Sequence, residues 1–247
     1  MSDNKYINPE TLLQYCNTNE AFLEKKVRGI VLEFPGLGGG SCLGGLMDLM
    51  SYDTPYTRQF AEAGLVVAYT FPGPWSWMNK GAVRMADLIV DALREKYQLS
   101  EDSPLIATGG SMGGLGALIY TASSRHKVTA CAAACPCYDL TTCYDVVPHF
   151  ARTVVSAISA YDMPLDDAIK TISPLYRLDD MPRIPYFIVC DEEDNLFPAD
   201  GMRAYAEKLE EKTGRKVIYH SLPGQPHGGF TPEVRQALND FVIDNAK

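Results

Sequence analysis

The chain has 247 residues, 46% of them hydrophobic and 21% charged, a balance that fits one globular domain with a buried core. Its 22 basic and 31 acidic residues give a net charge of −9, and no Lys/Arg-rich run occurs, so we expect neither nucleic-acid binding nor attachment to a membrane. No stretch reaches the roughly 20 apolar residues that span a bilayer, and no secretion signal opens the sequence. We therefore expect a cytoplasmic protein.

The seven cysteines are expected to be reduced, because their number is odd and several lie in apolar runs. Cys135, Cys137 and Cys143 are close in sequence, but Cys-x-Cys is not the Cys-x-x-Cys spacing of the common metal and redox motifs. We interpret them as small core residues and predict no metal site.

Six short apolar runs predict six β-strands. They are nearly continuous rather than alternating, which is typical of strands that are covered on both faces. In chain order the runs are RGIVLEF (28–34), LVVAYTF (65–71), PLIATGG (104–110), KVTACAAAC (127–135), IPYFIVCD (184–191) and KVIYHSL (216–222).

Helical patterns separate and follow these strands. The candidate helices are 55–64, 80–98, 112–123, 199–214 and 231–246. Such alternation indicates an α/β protein with a mostly parallel sheet of about six strands and helices on both faces. Active sites of sheets of this kind lie at the carboxyl ends of the strands.

One interval, residues 141–183, contains no strand candidate. Loops of this length inside a compact domain are usually functional insertions. We predict a small helical cap there, inserted into a single domain that covers residues 1–247.

A Gly-x-Ser-x-Gly pattern, Gly109 to Gly113, stands between the third predicted strand and the helix that follows it. This is the setting of a nucleophile elbow, a sharp turn that needs tiny residues two positions before and after the central serine. The turn exposes the hydroxyl of Ser111, and the start of the helix directs backbone N–H groups at a bound anion. We predict that Ser111 is a nucleophile and that the N–H of Met112 is one donor of an oxyanion hole.

A serine nucleophile needs a base, and the chain has four histidines. His126 looks solvent-facing, His149 lies in the predicted cap and His220 lies within the last predicted strand. His227 lies in the loop PGQPHGGF just beyond the carboxyl end of that strand. We predict that His227 is the base.

The histidine in turn needs a carboxylate to orient it. The run FIVCDEEDNLFP ends a strand and enters a loop, so Asp194, a few positions into that loop, is our choice of acid. Asp191 competes with it, and Asp139 is a further alternative.

A second oxyanion donor is expected from the loop FPGLGGGS after the first predicted strand, and we choose the N–H of Leu37. A substrate pocket is predicted from apolar residues near the same edge of the sheet. Its members are Trp75, Trp77, Tyr144 and Phe150, together with Met47 and Met50.

The order Ser111, Asp194, His227 and the strand ends on which they lie resemble the α/β-hydrolase family. Within it, GGSMGG, SPLYRLDDMPRIPYFIVCDEEDNLFP and the final His-Gly-Gly look most like the prolyl-oligopeptidase, dienelactone-hydrolase and acetyl-esterase branches. The resemblance covers nearly all of the chain from Arg28 onward and implies a three-layer α/β-hydrolase fold.

The chain also departs from that family. Pro35-Gly36 stand where the oxyanion loop often has His-Gly, which affects the role assigned to Leu37. Cys190-Asp191 stand where His-Gly often precedes the acid, which is why Asp191 competes with Asp194. No leading pair of strands is evident before Arg28, which suggests a trimmed core.

The resemblance implies a serine hydrolase, and we expect a carboxylesterase that acts on a small-molecule ester and needs no cofactor. A peptidase of prolyl-oligopeptidase type is an alternative; members of that branch commonly carry a propeller domain for which this chain has no room. A non-catalytic binding protein on the same fold is the other alternative. The oligomeric state is left open, with a homodimer among the outcomes.

Overall fold

The fold is built around a sheet of seven strands in a computed structural model that describes residues 6–37, 52–144, 146, 148–197 and 199–247. Of Pro148 and His149 only the backbone is described. The strands are β1 Cys16–Thr18, β2 Gly29–Phe34, β3 Leu65–Thr70, β4 Leu105–Gly110, β5 Ala130–Ala134, β6 Tyr186–Asp191 and β7 Val217–Leu222.

The strand order is β1-β3-β2-β4-β5-β6-β7, and the pairs from β3 to β7 are all parallel. The prediction of a mostly parallel sheet is thus confirmed, with strand bounds within a few residues of those expected. β1 was not predicted. It pairs antiparallel with β3 at the sheet edge and has only three residues, two of them polar, so it gives no apolar signal.

The helices cover both faces of the sheet. They are α1 Pro55–Glu62, α2 Lys80–Tyr97, α3 Met112–Ser123, α4 Leu140–Cys143, α5 Pro148–Ile158, α6 Leu165–Thr171, α7 Met202–Thr213 and α8 Pro232–Asp244. Short 3-10 helices occur at Leu12–Gln14, Glu20–Phe22, Pro174–Asp180 and Ala199–Gly201.

Side-chain alternation along β2 shows how the two layers form. Ile30 and Leu32 pack into the larger core, which also contains residues of α2, α3, α5 and α7. Val31, on the opposite face, packs into a second core with Phe60 of α1 and Leu238 of α8. Both faces of the strand are therefore apolar, which explains its continuous hydrophobic run.

Local sequence signals define the helix ends. The Asn79 side chain accepts a hydrogen bond from the N–H of Ala82 at the start of α2, and Thr231 does the same for Val234 before the first-turn proline of α8. None of the helices in the described ranges combines the length and apolarity that crossing a membrane requires.

Between β5 and β6 the chain forms α4, α5, α6 and the 3-10 helix Pro174–Asp180. No strand occurs in the described part of 141–183. The assignment of this segment as a cap within a single domain remains a prediction.

Candidate active site

The turn between β4 and α3 holds Ser111 in a strained backbone conformation, with φ 60° and ψ −126°. A residue that has a Cβ rarely adopts a positive φ, and backbone strain of this kind is concentrated at functional sites. Neighbouring glycines make the turn possible: a Cβ on Gly113 would overlap the backbone oxygen of Phe34, and a Cβ on Gly109 would overlap the backbone of Gly113. The glycine pattern is thus a steric requirement of the elbow.

His227 reaches Ser111 from the loop after β7. Its Nε2 lies 2.8 Å from the Oγ of Ser111, within hydrogen-bond distance, although 116 residues separate them in sequence. The ring of Phe197 packs edge-on against the imidazole, with centroids 5.2 Å apart and planes at 80°. The histidine side chain is 16% exposed, so it is accessible to substrate yet held from one side.

Asp194 completes a hydrogen-bonded series. Its Oδ2 lies 2.6 Å from Nδ1 of His227, and its Oδ1 accepts the backbone N–H groups of Leu196 at 2.8 Å and Phe197 at 2.9 Å. Burial raises the pKa of this carboxyl, but the hydrogen bonds from His227 and from the two backbone amides outweigh it, so the pKa is lowered from its usual value. The carboxylate form is therefore the one that this loop stabilises.

The two alternative acids have other partners. Asp191 is fully buried at the end of β6, where its Oδ2 accepts hydrogen bonds from Cys135 Sγ at 2.8 Å and from the N–H of Gly229 at 3.1 Å. Asp139 caps α4 by accepting the N–H of Thr141. Asp191 thus anchors the loop that carries His227 without contacting the imidazole.

The other histidines lie elsewhere. His126 was expected to face solvent, but its side chain is only 8% exposed, because its ring nitrogens contact Arg94 and the backbone oxygen of Asp87. His220 packs against Phe187 on the sheet. The side chain of His149 lies outside the described residues.

The predicted oxyanion donors lie beside Ser111. Met112 is the first residue of α3, so its N–H has no acceptor within the helix. The loop after β2 also approaches: a Cβ on Gly36 would lie 3.8 Å from that of Ser111, and Leu37 lines the same cleft. The roles of Met112 and Leu37 remain predictions, and the glycines that follow lie outside the described residues.

Ser111 and His227 open into a cleft of about 670 Å³. Phe150, from α5, lines this cleft, and its role in binding a substrate stays a prediction. Met47 and Met50, also proposed for the pocket, lie outside the described residues.

The structure places the other three aromatic residues of the predicted pocket outside this cleft. Trp77 is fully buried, and its Nε1–H donates to Thr153 Oγ1 at 2.9 Å. It therefore packs in the core against α5 and does not line the cleft. Trp75 is 42% exposed and is not part of the cleft wall. Tyr144 lines a separate shallow groove along α5. The backbone φ angles are 52° at Trp75 and 44° at Trp77. No sequence pattern indicated this left-handed backbone conformation.

Sequence reasoning missed the polar side of the cleft. Glu33, Tyr52, Tyr56 and Arg235 all line it. The available signal was the glutamate itself, a charged residue near the end of the apolar run RGIVLEF.

Cys135, Asp191 and Asp194 form a group whose potential ligand atoms all lie within 4.8 Å of one another. Their chemistry fits a metal poorly. Burial and the neighbouring Asp191 raise the pKa of the Cys135 thiol, whereas a metal binds the thiolate, and both oxygens of Asp194 already accept hydrogen bonds. Cys135, Cys137 and Cys143 are all buried with free thiols, in agreement with their interpretation as core residues.

Comparison with known proteins identifies relatives at the level of family and fold. A sequence model described as the Prolyl oligopeptidase family matches residues 75–244, a range that contains Ser111, Asp194 and His227. A search of curated protein sequences gives no significant match.

Solved structures share the fold at low identity. An acylaminoacyl peptidase from Pyrococcus horikoshii has a TM-score of 0.68 and 16% identity, over 90% of this chain and 37% of its own. A puromycin-hydrolyzing peptidase from Mycobacterium tuberculosis has a TM-score of 0.71 and 18% identity, over 90% and 35%. A truncated carbohydrate esterase from gut microbiota has a TM-score of 0.68 and 16% identity, over 90% and 87%.

The chain therefore spans little more than a third of each peptidase and most of the esterase. These neighbours have the α/β-hydrolase fold, and the predicted fold class is confirmed.

Proposed function

Because the chain belongs to the prolyl oligopeptidase family, whose members are serine hydrolases, we propose that it cleaves small carboxylic esters through an acyl-enzyme on Ser111. One observation carries the proposal: Asp194, His227 and Ser111 form a continuous series of contacts of 2.6 and 2.8 Å at the mouth of a cleft. A serine hydroxyl is a weak nucleophile unless such a base removes its proton.

The reaction has two halves. In the first, Ser111 Oγ forms a bond to the ester carbonyl carbon while its proton moves to Nε2 of His227. The resulting oxyanion accepts the N–H groups of Met112 and Leu37, and each such donor typically contributes about 2.7 to 4 kcal/mol of transition-state stabilisation. The carbon–oxygen bond to the leaving alkoxide then breaks, and His227 returns the proton to it.

In the second half, His227 takes a proton from water as the water oxygen attacks the acyl carbon. The second tetrahedral species breaks the bond to Ser111 Oγ, which recovers the proton. Asp194 holds Nδ1–H of His227 throughout and stabilises the positive charge that the imidazole carries in each half. No step requires a group from outside the chain other than water.

Amide cleavage is the second candidate function. It is favoured by the family match and by the two peptidases among the solved structures, whereas the carbohydrate esterase, which this chain matches over most of its length, favours ester cleavage. The same acyl-enzyme serves both, so the leaving group is what separates them.

Labelling with a fluorophosphonate probe tests the proposal. We expect stoichiometric modification at Ser111, located by mass spectrometry, together with turnover of p-nitrophenyl acetate and butyrate; Ser111→Ala should lose both while keeping its thermal unfolding transition. Turnover of p-nitroanilides at a kcat close to that of the matched esters, as occurs when deacylation of the shared acyl-enzyme limits both, would favour the peptidase. A folded protein without labelling or turnover would exclude the serine-hydrolase mechanism and leave a binding function.

A further inference from the structure

The side of the cleft formed by α1 and α8 contains a carboxylate that the proposed reaction does not use. Glu33 pairs with Thr108 of β4 and is the last-but-one residue of β2. Since Phe34 packs into the larger core, alternation places Glu33 on the opposite face, where it lines the same cleft as Ser111 and His227.

Two tyrosines fix the position of this carboxylate. Tyr52 Oη–H donates to Glu33 Oε1 at 2.8 Å, and the hydroxyl of Tyr56 lies 3.0 Å from Oε1 and 3.3 Å from Oε2. The two hydroxyls also contact each other. An ionised carboxylate offers about four acceptor sites, so Glu33 keeps acceptor capacity toward the cleft after these bonds are made.

No basic side chain that the structure describes contacts the carboxylate of Glu33. Among the described side chains, no basic nitrogen lies within 4.0 Å of its oxygens. Burial raises its pKa, and only the tyrosine hydrogen bonds and the more distant Arg235 act in the opposite direction. A carboxylate taken out of water without a counter-ion carries a free-energy cost that a ligand cation would relieve.

The charge of Arg235 is better stabilised by its surroundings than the charge of Glu33. Its guanidinium carbon lies 3.7 Å from the ring centroid of Phe230 and 5.6 Å from that of Tyr56, and the residue is partly exposed. The ring faces and solvent therefore stabilise its charge already. With a net charge of −9, the protein as a whole also attracts cations more readily than anions.

We infer that Glu33 determines substrate specificity by binding a protonated amine on the molecule whose carbonyl is attacked by Ser111. The preferred substrates are therefore esters or amides with an ammonium group close to the scissile bond, as in aminoacyl compounds. This inference rests on the proposed function, because it assigns the substrate class of the same cleft.

Two pairs of isosteric esters test it. Glycine and propionate p-nitrophenyl esters differ by an ammonium in place of a methyl group on the acyl side, and aminoethyl and propyl acetate differ in the same way on the alcohol side. The measured quantity is the ratio of kcat/KM within each pair, compared between the native protein and Glu33→Gln. Differences in intrinsic ester reactivity cancel in this double ratio.

Glu33→Gln keeps the size of the side chain and an oxygen that accepts from the tyrosines. Its matched control is Glu207→Gln, which removes an equal charge from an exposed position on α7. We expect Glu33→Gln to lower the preference for the ammonium ester at least tenfold in one of the pairs, the scale of a charge-assisted hydrogen bond. Glu207→Gln should leave both ratios unchanged, and thermal unfolding confirms that the variants are folded.

A double ratio near one in both pairs, with Ser111-dependent turnover intact, would overturn this inference and leave the proposed function standing. The inference also fails if the native protein prefers p-nitrophenyl hemisuccinate and Arg235→Gln abolishes that preference. Loss of turnover of every ester in the folded native protein would instead remove the proposed function, and the inference with it.

Discussion

Oδ1 of Asp194 accepts two backbone N–H groups while its Oδ2 lies 2.6 Å from Nδ1 of His227, so one carboxylate both closes its own loop and orients the imidazole. The acid is held by its own chain before any substrate arrives. Within the run DEED it is thus the fourth residue, and not the first, that contacts His227; among the described residues of this run, Asp194 is the one whose following amides turn back to its side chain.

Asp194→Asn is expected to lower kcat for p-nitrophenyl acetate by roughly 10³- to 10⁴-fold, because an amide offers a donor to Nδ1 and favours the wrong imidazole tautomer. Steady-state turnover measures the effect. Glu193→Gln, the neighbouring exposed carboxylate, should retain native activity. Equal losses in both variants would show that loop charge, and not orientation of His227, is what matters.

The fall in the free energy of unfolding at low pH should depend in part on Asp194. Its pKa is lower in the folded protein than its ordinary value, so its contribution to the free energy of unfolding is present above the unfolded-state pKa of about 3.9 and is lost as pH falls through the folded-state pKa. Urea unfolding at a series of pH values should show the gap between native protein and Asp194→Asn narrowing toward low pH. A gap that is independent of pH would contradict this linkage.

Gly113→Ala is expected to destabilise the fold by about 3 kcal/mol or more, because its Cβ would overlap the backbone oxygen of Phe34, a residue that is paired with Gly109 of β4. Gly110→Ala is the matched control in the same turn: its Cβ would lie 3.8 Å from the oxygen of Ala134, an ordinary contact. Chemical denaturation compares the two. Similar stabilities would mean that the elbow tolerates a shift of β2.

The two tryptophans should respond differently to replacement by phenylalanine. Trp77→Phe removes the hydrogen bond to Thr153 and leaves space in the core, so we expect a loss of roughly 1 to 3 kcal/mol in the free energy of unfolding. Trp75→Phe, at an exposed position, should change it by less than about 0.5 kcal/mol. A larger loss of unfolding free energy in Trp75→Phe than in Trp77→Phe would show that the contact between Trp77 and α5 does not stabilise the fold.

Local signals were sufficient for much of the fold and for the serine. Continuous apolar runs are a property of strands buried on both faces, and the elbow leaves a short Gly-x-Ser-x-Gly pattern in the sequence, although the contact that requires Gly113 is with Phe34 of β2. β1 could not be recognised, since an edge strand of three residues depends on its neighbour β3 for its formation.

The sequence did not predict where Trp75 and Trp77 lie or that Glu33 lines the cleft, and the reason is different. Positive φ at Trp75 and Trp77 turns one ring into the core and the other toward solvent, and aromatic content alone does not encode this. Glu33 owes its environment to Tyr56 and Arg235, which are distant along the chain and meet it only through α1 and α8. The environment of Glu33 is a property of tertiary packing.

Ser111, Asp194 and His227 each lie in a turn or loop that follows a strand of the central sheet, whereas Phe150 reaches the cleft from the helices between β5 and β6. The part of the cleft wall that Phe150 provides is thus encoded by a different stretch of the gene from the three residues of the proposed reaction. Because Phe150 also packs on Phe197, the ring that contacts His227, substitutions at Phe150 that keep this ring contact are the ones that can reshape the cleft in evolution without moving the imidazole.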